Sequence, residues 1–199
     1  MQDLFLIFRL KTDILVVYIY LCTYMYSINI DTLPAGHDKQ AIIDWYIENN
    51  SIAVSFCYSS NFKNTRVIRR FVEVISQKLS MWEEWVNRMI LIVDELNNNA
   101  IEHGSRKTMW SEMRVVMSVD QWELDVNIEV EDSWTGMHPK TAAEMRELGQ
   151  TTKQKWFKHH NSIRWRGLFL IITRLVDELY FKDSKTGGLI VWIHKKISL

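Results

Sequence analysis

The chain has 199 residues, of which 47% are hydrophobic and 24% are charged, a composition typical of a globular protein with one domain and room for an extension. Its 24 basic and 24 acidic side chains give a formal net charge of zero. A basic surface for nucleic-acid binding is therefore missing, and direct binding to nucleic acid is not expected. The two cysteines, Cys22 and Cys57, belong to no Cys-x-x-Cys or Cys/His cluster, so neither a zinc site nor a disulfide framework is indicated and a reducing cytoplasm fits.

Residues 1–50 are predicted to form a hydrophobic extension and a linker. No residue from Ile14 to Ile30 is charged, but the run is near the lower length limit for a membrane span. Arg9 and Lys11 precede the run. Because basic residues tend to stay on the cytoplasmic side, a span here would keep the N-terminus in the cytoplasm and export the rest of the chain. The segment contains no Ala-x-Ala cleavage site, so a signal peptide is not expected. The run is interpreted as a membrane anchor, as an extra packed helix or strand, or as residues upstream of the true start.

The domain proper is predicted to span residues 51–199. Pro34 and Gly36 mark the linker before it, which carries one short helical pattern near residues 41–46. Alternating apolar residues predict a strand over 51–58. A helix over 62–79 follows, with its cap supplied by the polar residues just before it.

Residues 89–104 are the most informative stretch of the chain. Their apolar side chains recur at helical spacing and predict an amphipathic helix that Gly104 ends. Glu95, Asn99 and His103 lie at i, i+4 and i+8, so they share one polar stripe beside the buried face. A carboxylate can accept a proton, and a carboxamide oxygen suits a Mg²⁺ ion that bridges to phosphates. The stripe favours phosphoryl transfer, and the alternative is a surface helix whose asparagines are solvated.

The remaining elements segregate into strands and helices. The sequence predicts, in chain order, a hairpin of strands 111–119 and 122–131, helices 138–148 and 167–178, a short strand 179–181, a turn 183–188 and a last strand ending near 197. This order predicts an α+β fold, a two-layer α/β sandwich whose mixed sheet is covered by helices on one face.

The string from Glu95 to Gly104, Glu-Leu-Asn-Asn-Asn-Ala-Ile-Glu-His-Gly, resembles the N-box of the GHKL (Bergerat-type, histidine kinase-like) ATPases. Its form is similar to that of the bacterial anti-sigma factor serine/threonine kinases. The resemblance implies the same α+β sandwich from about residue 51 to the end, with ATP and Mg²⁺ as cofactors. It also implies that Glu95 is the catalytic base, that Asn99 is the metal ligand, and that Asn99 and His103 contact the nucleotide.

Two further boxes resemble those of the family. Glu131-Asp132-Ser133-Trp134-Thr135-Gly136-Met137 ends the second hairpin strand, where the family has its Asp-x-Gly-x-Gly box, and Asp132 takes the place of the carboxylate that reads adenine. Apart from the resemblance, a strand-end Asp that caps the following turn is an equal reading. The resemblance implies a nucleotide-binding set drawn from these boxes and from a basic lid between them: Asp132, Gly136, Met137, Thr151, Thr152, Arg166, Gly167 and Leu168.

Three positions depart from the family pattern. Trp134 and Trp165 stand where the first glycine of each glycine box belongs, and Leu189 replaces a threonine that helps to fix the adenine. Glycine permits a close backbone approach or a positive φ that tryptophan does not adopt cheaply. The chain has nine Trp against seven Gly, and the two codons differ at one base, so translation of UGA as Trp in place of Gly is one reading. The codons of Trp134, Trp156 and Trp165 test it.

The leading functional hypothesis is an ATP-binding anti-sigma regulatory factor that phosphorylates a STAS-type anti-anti-sigma partner and binds a sigma factor. It is expected in the cytoplasm, with membrane association through residues 14–30 and a homodimer left open. One alternative is an adaptor whose pocket the departures have filled, so that it acts only by binding proteins. The other alternative is the catalytic domain of a histidine kinase, for which the extension offers only His37 in a loop-like setting.

Overall fold

The computed structural model describes residues 25–104, 110–133, 141–147 and 174–199. We label the strands and α-helices in chain order: β1 (Tyr26–Asn29), α1 (Lys39–Asp44), β2 (Ser51–Ser59), α2 (Phe62–Lys78), α3 (Glu83–Asn99), β3 (Trp110–Asp120), β4 (Glu123–Glu131), α4 (142–147), β5 (Glu178–Asp183) and β6 (Leu189–Ser198). A single 3₁₀ turn, Ile30–Thr32, follows β1, and a π-helical turn, Ala100–Gly104, continues α3.

The strands form one six-stranded sheet in the order β1-β2-β3-β4-β6-β5. β1 pairs with β2 in parallel, and every other pair is antiparallel, so the sheet is mixed as the sequence predicts. The loop of the β3–β4 hairpin is Gln121-Trp122, one residue later than expected. These observations confirm the predicted α+β class.

The long helices α2 and α3 cover one face of this sheet. Each buries an apolar stripe with a period near 3.6 residues, and the inward residues of β2, β3 and β4 alternate along each strand. The helices and strands share one core, whose fully buried members include Phe56, Phe71, Met89, Ile92 and Met117. α2 begins where the Asn61 carboxamide accepts a hydrogen bond from the Lys63 N–H at 3.0 Å, which is the cap that the sequence predicts.

Residues 26–44 pack into the same core. Ile28 lies opposite Phe56 in the parallel β1–β2 pair, and Ile28 and Ile43 are 5% and 0% exposed within the core cluster. The packing thus joins part of the region 1–50 to the domain that the sequence analysis begins at residue 51. Periodicity does not reveal β1, because a four-residue strand with one buried side chain has no repeating pattern.

The hydrophobic run from residue 14 to residue 30 falls partly within the described residues. Its end forms β1 and the first residue of the 3₁₀ turn, while residues 14–24 lie outside the described part of the chain. None of the helices in the described ranges has the length and apolar character needed to span a membrane.

The last predicted helix ends earlier than expected. The sequence predicts helix to residue 178, but Glu178 already pairs with His194 as the first residue of β5, and the described helical residues there are 174 and 175. The N–H of Asp177 donates to the His194 carbonyl at 3.0 Å. The sheet therefore provides the hydrogen-bond partner that a further helical turn would have supplied.

We expect Ile28→Ala to lower the free energy of unfolding by about 2–5 kcal/mol, since the side chain fills a closed core. Ser27→Ala is the matched control, because Ser27 is exposed on the same strand. Denaturant unfolding of both variants measures the effect. Equal stability of the Ile28 variant and the parent would show that β1 does not complete the core.

Candidate functional site

Glu95 and Asn99 lie one helical turn apart at the carboxyl-terminal end of α3, and both are half-buried. The Asn99 side-chain nitrogen donates to the Glu95 carbonyl oxygen at 2.5 Å. This bond holds the carboxamide against its own helix. Because the nitrogen is the donor, the carboxamide oxygen is the atom through which Asn99 could bind a metal.

The Glu95 carboxyl group has a raised pKa. Partial burial is the largest cause, and the negative charges of Asp94 and Glu102 add to it. Each of these effects disfavours the ionised form. A carboxylate with a raised pKa is a better proton acceptor than an ordinary surface glutamate.

Asn97, two residues from each of these side chains, is 0% exposed and belongs to the core. Its carboxamide oxygen accepts a hydrogen bond from the Tyr58 hydroxyl, which is also wholly buried. Its nitrogen donates to the Val93 carbonyl at 2.8 Å and approaches the Met113 sulfur at 3.1 Å. The solvated asparagine run considered from the sequence is therefore wrong for Asn97.

Tyr58 connects this helix end with the end of β4. Burial raises the pKa of the Tyr58 hydroxyl, a hydrogen bond with Ser111 opposes the rise, and the negative charge of Asp132 adds to it. Tyr58 is consequently a neutral donor at any physiological pH. The buried Tyr58 hydroxyl therefore donates a hydrogen bond to Asn97 of α3 and is close enough to Asp132 to be affected by its charge.

Asp132 is 8% exposed and is fixed by the start of β6. Its N–H donates to the Leu189 carbonyl at 3.1 Å, and its carboxylate accepts from the Leu189 N–H at 3.0 Å. Gly188 makes this approach possible: a Cβ on Gly188 would lie 1.8 Å from the Asp132 carbonyl oxygen and 2.5 Å from its carboxylate. Only glycine fits at this position without moving Asp132.

Ser133 follows Asp132 and contributes a buried hydroxyl. Its Oγ has no hydrogen-bond partner within the part of the chain that the structure describes. A buried polar atom of this kind requires a partner, and a polar ligand beside Asp132 would satisfy it.

Leu189 occupies the position where the sequence analysis expects a threonine. It is 7% exposed and packs with Ala142, Met145 and Phe181 in a second, smaller apolar cluster. The side chain belongs to this cluster, while its backbone N–H and carbonyl hold Asp132. The backbone hydrogen bonds that hold Asp132 are thus present with leucine at this position.

The remaining predicted site residues lie in the turn that continues α3 or outside the described part of the chain. The backbone of His103 and Gly104 forms part of the π-helical turn. Predicted contacts that lie outside the described residues are Gly136, Met137, Thr151, Thr152, Arg166, Gly167 and Leu168, together with Trp134 and Trp165. Within the described ranges, no group of three or more His, Cys, Asp and Glu side chains could hold a metal ion.

The mixed six-stranded sheet with helices on one face is consistent with the fold of GHKL-type ATPase domains. Residues 58–195 match the family model of the histidine kinase-like ATPase domain, and the chain belongs to this family. No curated protein matches the chain. Among solved structures, a chain of the SiaB–SiaC complex from Pseudomonas aeruginosa is similar, with a TM-score of 0.47 and 12% identity over 81% of this chain and 99% of that chain.

We expect Tyr58→Phe to cost about 1–3 kcal/mol of unfolding free energy, because it leaves the Asn97 oxygen buried without a donor. Denaturant unfolding of Tyr58→Phe, Asn97→Leu and the double variant measures the coupling. The double variant should lose less stability than the sum of the single losses, since no unpaired hydroxyl or oxygen remains between the two positions. Strictly additive losses would contradict the hydrogen bond.

Proposed function

We propose that this protein binds Mg-ATP and transfers its γ-phosphoryl group to a serine or threonine of a STAS-type anti-anti-sigma partner. The observation that carries the proposal is the arrangement of Glu95 and Asn99 on one stripe at the end of α3, one helical turn apart and both half-buried. Domains of this family bind ATP, usually with Mg²⁺.

Asp132 is proposed to read the base. Its carboxylate is an acceptor held by the Leu189 N–H, and the exocyclic amine of adenine is a donor of matching chemistry. The unpartnered Ser133 hydroxyl supplies a second polar contact at the same strand end. Gly188 maintains the position of Asp132 because any larger side chain would displace it.

Asn99 is proposed to hold the metal through its carboxamide oxygen. Because the described residues hold no cluster of acidic or imidazole ligands, a Mg²⁺ ion here would complete its coordination with phosphate oxygens and water, as Mg²⁺ commonly does in nucleotide sites. Bound ATP would supply the phosphoryl group, and the Mg²⁺ ion would neutralise negative charge on the phosphate oxygens.

Glu95 is proposed to accept the proton of the incoming hydroxyl. It is half-buried, its carboxyl pKa is raised, and it lies one turn before Asn99 on the same side of α3. A carboxylate so placed orients the hydroxyl and takes its proton as the new oxygen–phosphorus bond forms. The bond to the leaving ADP breaks in the same displacement.

The other nucleotide contacts come from the family resemblance. We propose His103, Gly136, Met137, Thr151, Thr152, Arg166, Gly167 and Leu168 for the sugar and phosphates. The helix that the sequence predicts from Gly167 would face phosphate oxygens with its first N–H groups. The partner set is proposed to be a sigma factor and the STAS protein, within the cytoplasm, and a homodimer is compatible with it.

An adaptor that acts only by binding proteins is the second candidate function, and the tryptophans at two glycine-box positions favour it. In that case the chain would bind its partners and transfer no phosphate. Residues 25–50 do not support the alternative of a histidine kinase. His37 lies in a turn, where its Nδ1 is 2.9 Å from the Pro34 carbonyl oxygen and its ring stacks on Phe71 at 5.7 Å. A phosphoacceptor histidine would have to be exposed on a helix.

We expect Asn99→Ala to weaken Mg-nucleotide binding at least about tenfold, the equivalent of roughly 1.4 kcal/mol, with the melting temperature nearly unchanged. Asn98→Ala is the matched control, since Asn98 is the neighbouring half-buried asparagine and faces another side of the helix. Calorimetric titration of both variants measures the difference. Equal affinities in the two variants would remove Asn99 as the metal ligand.

Glu95→Gln should separate binding from chemistry. The amide keeps the size of the side chain but cannot accept the hydroxyl proton, so transfer to the STAS partner should fall about 10²- to 10⁴-fold. Nucleotide affinity should stay within a few-fold of the parent. A radiolabel transfer assay, run beside a binding titration, gives both quantities, and undiminished transfer would exclude Glu95 as the base.

A further inference from the structure

Ser184 organises the turn of residues 184–188 that joins β5 to β6, and it is 8% exposed. Its N–H donates to the Gly188 carbonyl at 2.8 Å, and its carbonyl accepts from the Gly187 N–H at 3.2 Å. Its hydroxyl oxygen accepts from the Thr186 N–H at 3.0 Å. Gly187 has a φ of +94°, a conformation that residues other than glycine rarely adopt. Three hydrogen bonds and a glycine therefore fix the shape of this turn.

The Ser184 hydroxyl also connects this turn with the end of β4. It donates to one oxygen of the Glu131 carboxylate at 2.5 Å. The other oxygen of that carboxylate accepts from the Arg114 guanidinium of β3 at 2.9 Å, and Arg114 is held in addition by Glu112 and Glu129. Because both of its oxygens are bonded, the Glu131 side chain has a fixed position. The turn is therefore tied to an anchor that belongs to β3 and β4.

The two residues that Ser184 joins lie directly beside the pair that fixes the Asp132 carboxylate. Glu131 precedes Asp132 in the chain, and Gly188 precedes Leu189. Asp132 and Leu189 exchange two hydrogen bonds, one of which runs from the Leu189 N–H to the carboxylate. A shift of the turn relative to β4 would move that N–H away from the carboxylate that it orients. The Ser184 hydroxyl opposes such a shift.

We propose that Ser184 is a positioning residue for recognition of the nucleobase, and that it acts through Glu131 and Gly188 on the orientation of the Asp132 carboxylate. The inference rests on the proposed function, in which Asp132 accepts a hydrogen bond from the exocyclic amine of adenine. Hydrogen bonds are directional, so a carboxylate that rotates loses part of its bond to the amine. Ser184 thereby contributes to the preference for adenine without a contact of its own to the base.

Calorimetric titration with two ligands, Mg-ATP and the Mg²⁺ complex of purine riboside triphosphate, separates positioning from general structure. The purine analogue lacks the exocyclic amine, so its affinity does not report on the bond to Asp132. Ser184→Ala should weaken Mg-ATP binding about 3- to 10-fold, the effect of one hydrogen bond, and should leave the affinity for the analogue unchanged. Lys185→Ala is the matched control, because Lys185 is exposed in the same turn, and it should change neither affinity.

The outcomes distinguish this inference from the proposed function. If the parent binds Mg-ATP more tightly than the analogue, the positioning role is overturned by equal weakening of both ligands in Ser184→Ala, or by no weakening of either. A parent that binds no Mg-ATP, or that binds the analogue equally well, would overturn the assignment of Asp132 as the base reader and the positioning role with it.

Amide hydrogen exchange in the nucleotide-free protein provides a second measurement. The Leu189 N–H should exchange about 3- to 10-fold faster in Ser184→Ala than in the parent, because its carboxylate acceptor is held less firmly. The Ile193 N–H, in the middle of β6 between β4 and β5, should exchange at the parent rate. Unchanged exchange at Leu189, or equal acceleration at both positions, would overturn the inference.

Discussion

The hydrogen bond from the Tyr58 hydroxyl to the Asn97 carboxamide fixes the rotation of α3 against the sheet, and the proposed site depends on that rotation. Both groups are fully buried, so breaking the bond would leave a polar atom unpaired in the core. With about 3.6 residues per turn, Asn97 in the core directs Glu95 and Asn99 to the side of the helix away from Tyr58. There they are half-buried and can meet a ligand.

A backbone constraint sets the other half of the site. Asp132 and Leu189 exchange hydrogen bonds at the point where β4 ends and β6 begins, and Gly188 allows the two strands to approach there. Because this contact uses the backbone of Leu189, its side chain is free to pack in the neighbouring apolar cluster. Leucine at position 189 therefore retains the fixed position of Asp132.

Elements with a long, regular pattern could be predicted from the sequence: β2, α2, α3 and the β3–β4 hairpin follow from periodicity and cap residues. β1 could not, because its single buried residue, Ile28, gives no period. The pairing of Tyr58 with Asn97 joins residues 39 positions apart, and no local pattern reports such a contact. The steric need for Gly188 likewise appears only when Asp132 is placed beside it.

Every step of the proposed function requires that the protein bind nucleotide. The most direct test is calorimetric titration of Mg-ATP into the full chain. The protein should bind Mg-ATP saturably at one site per chain, and EDTA should abolish the binding by removing the metal. If the folded protein binds its partners but gives no binding heat with Mg-ATP at any temperature, the phosphotransfer proposal is wrong. The chain would then be an adaptor that acts through protein contacts alone.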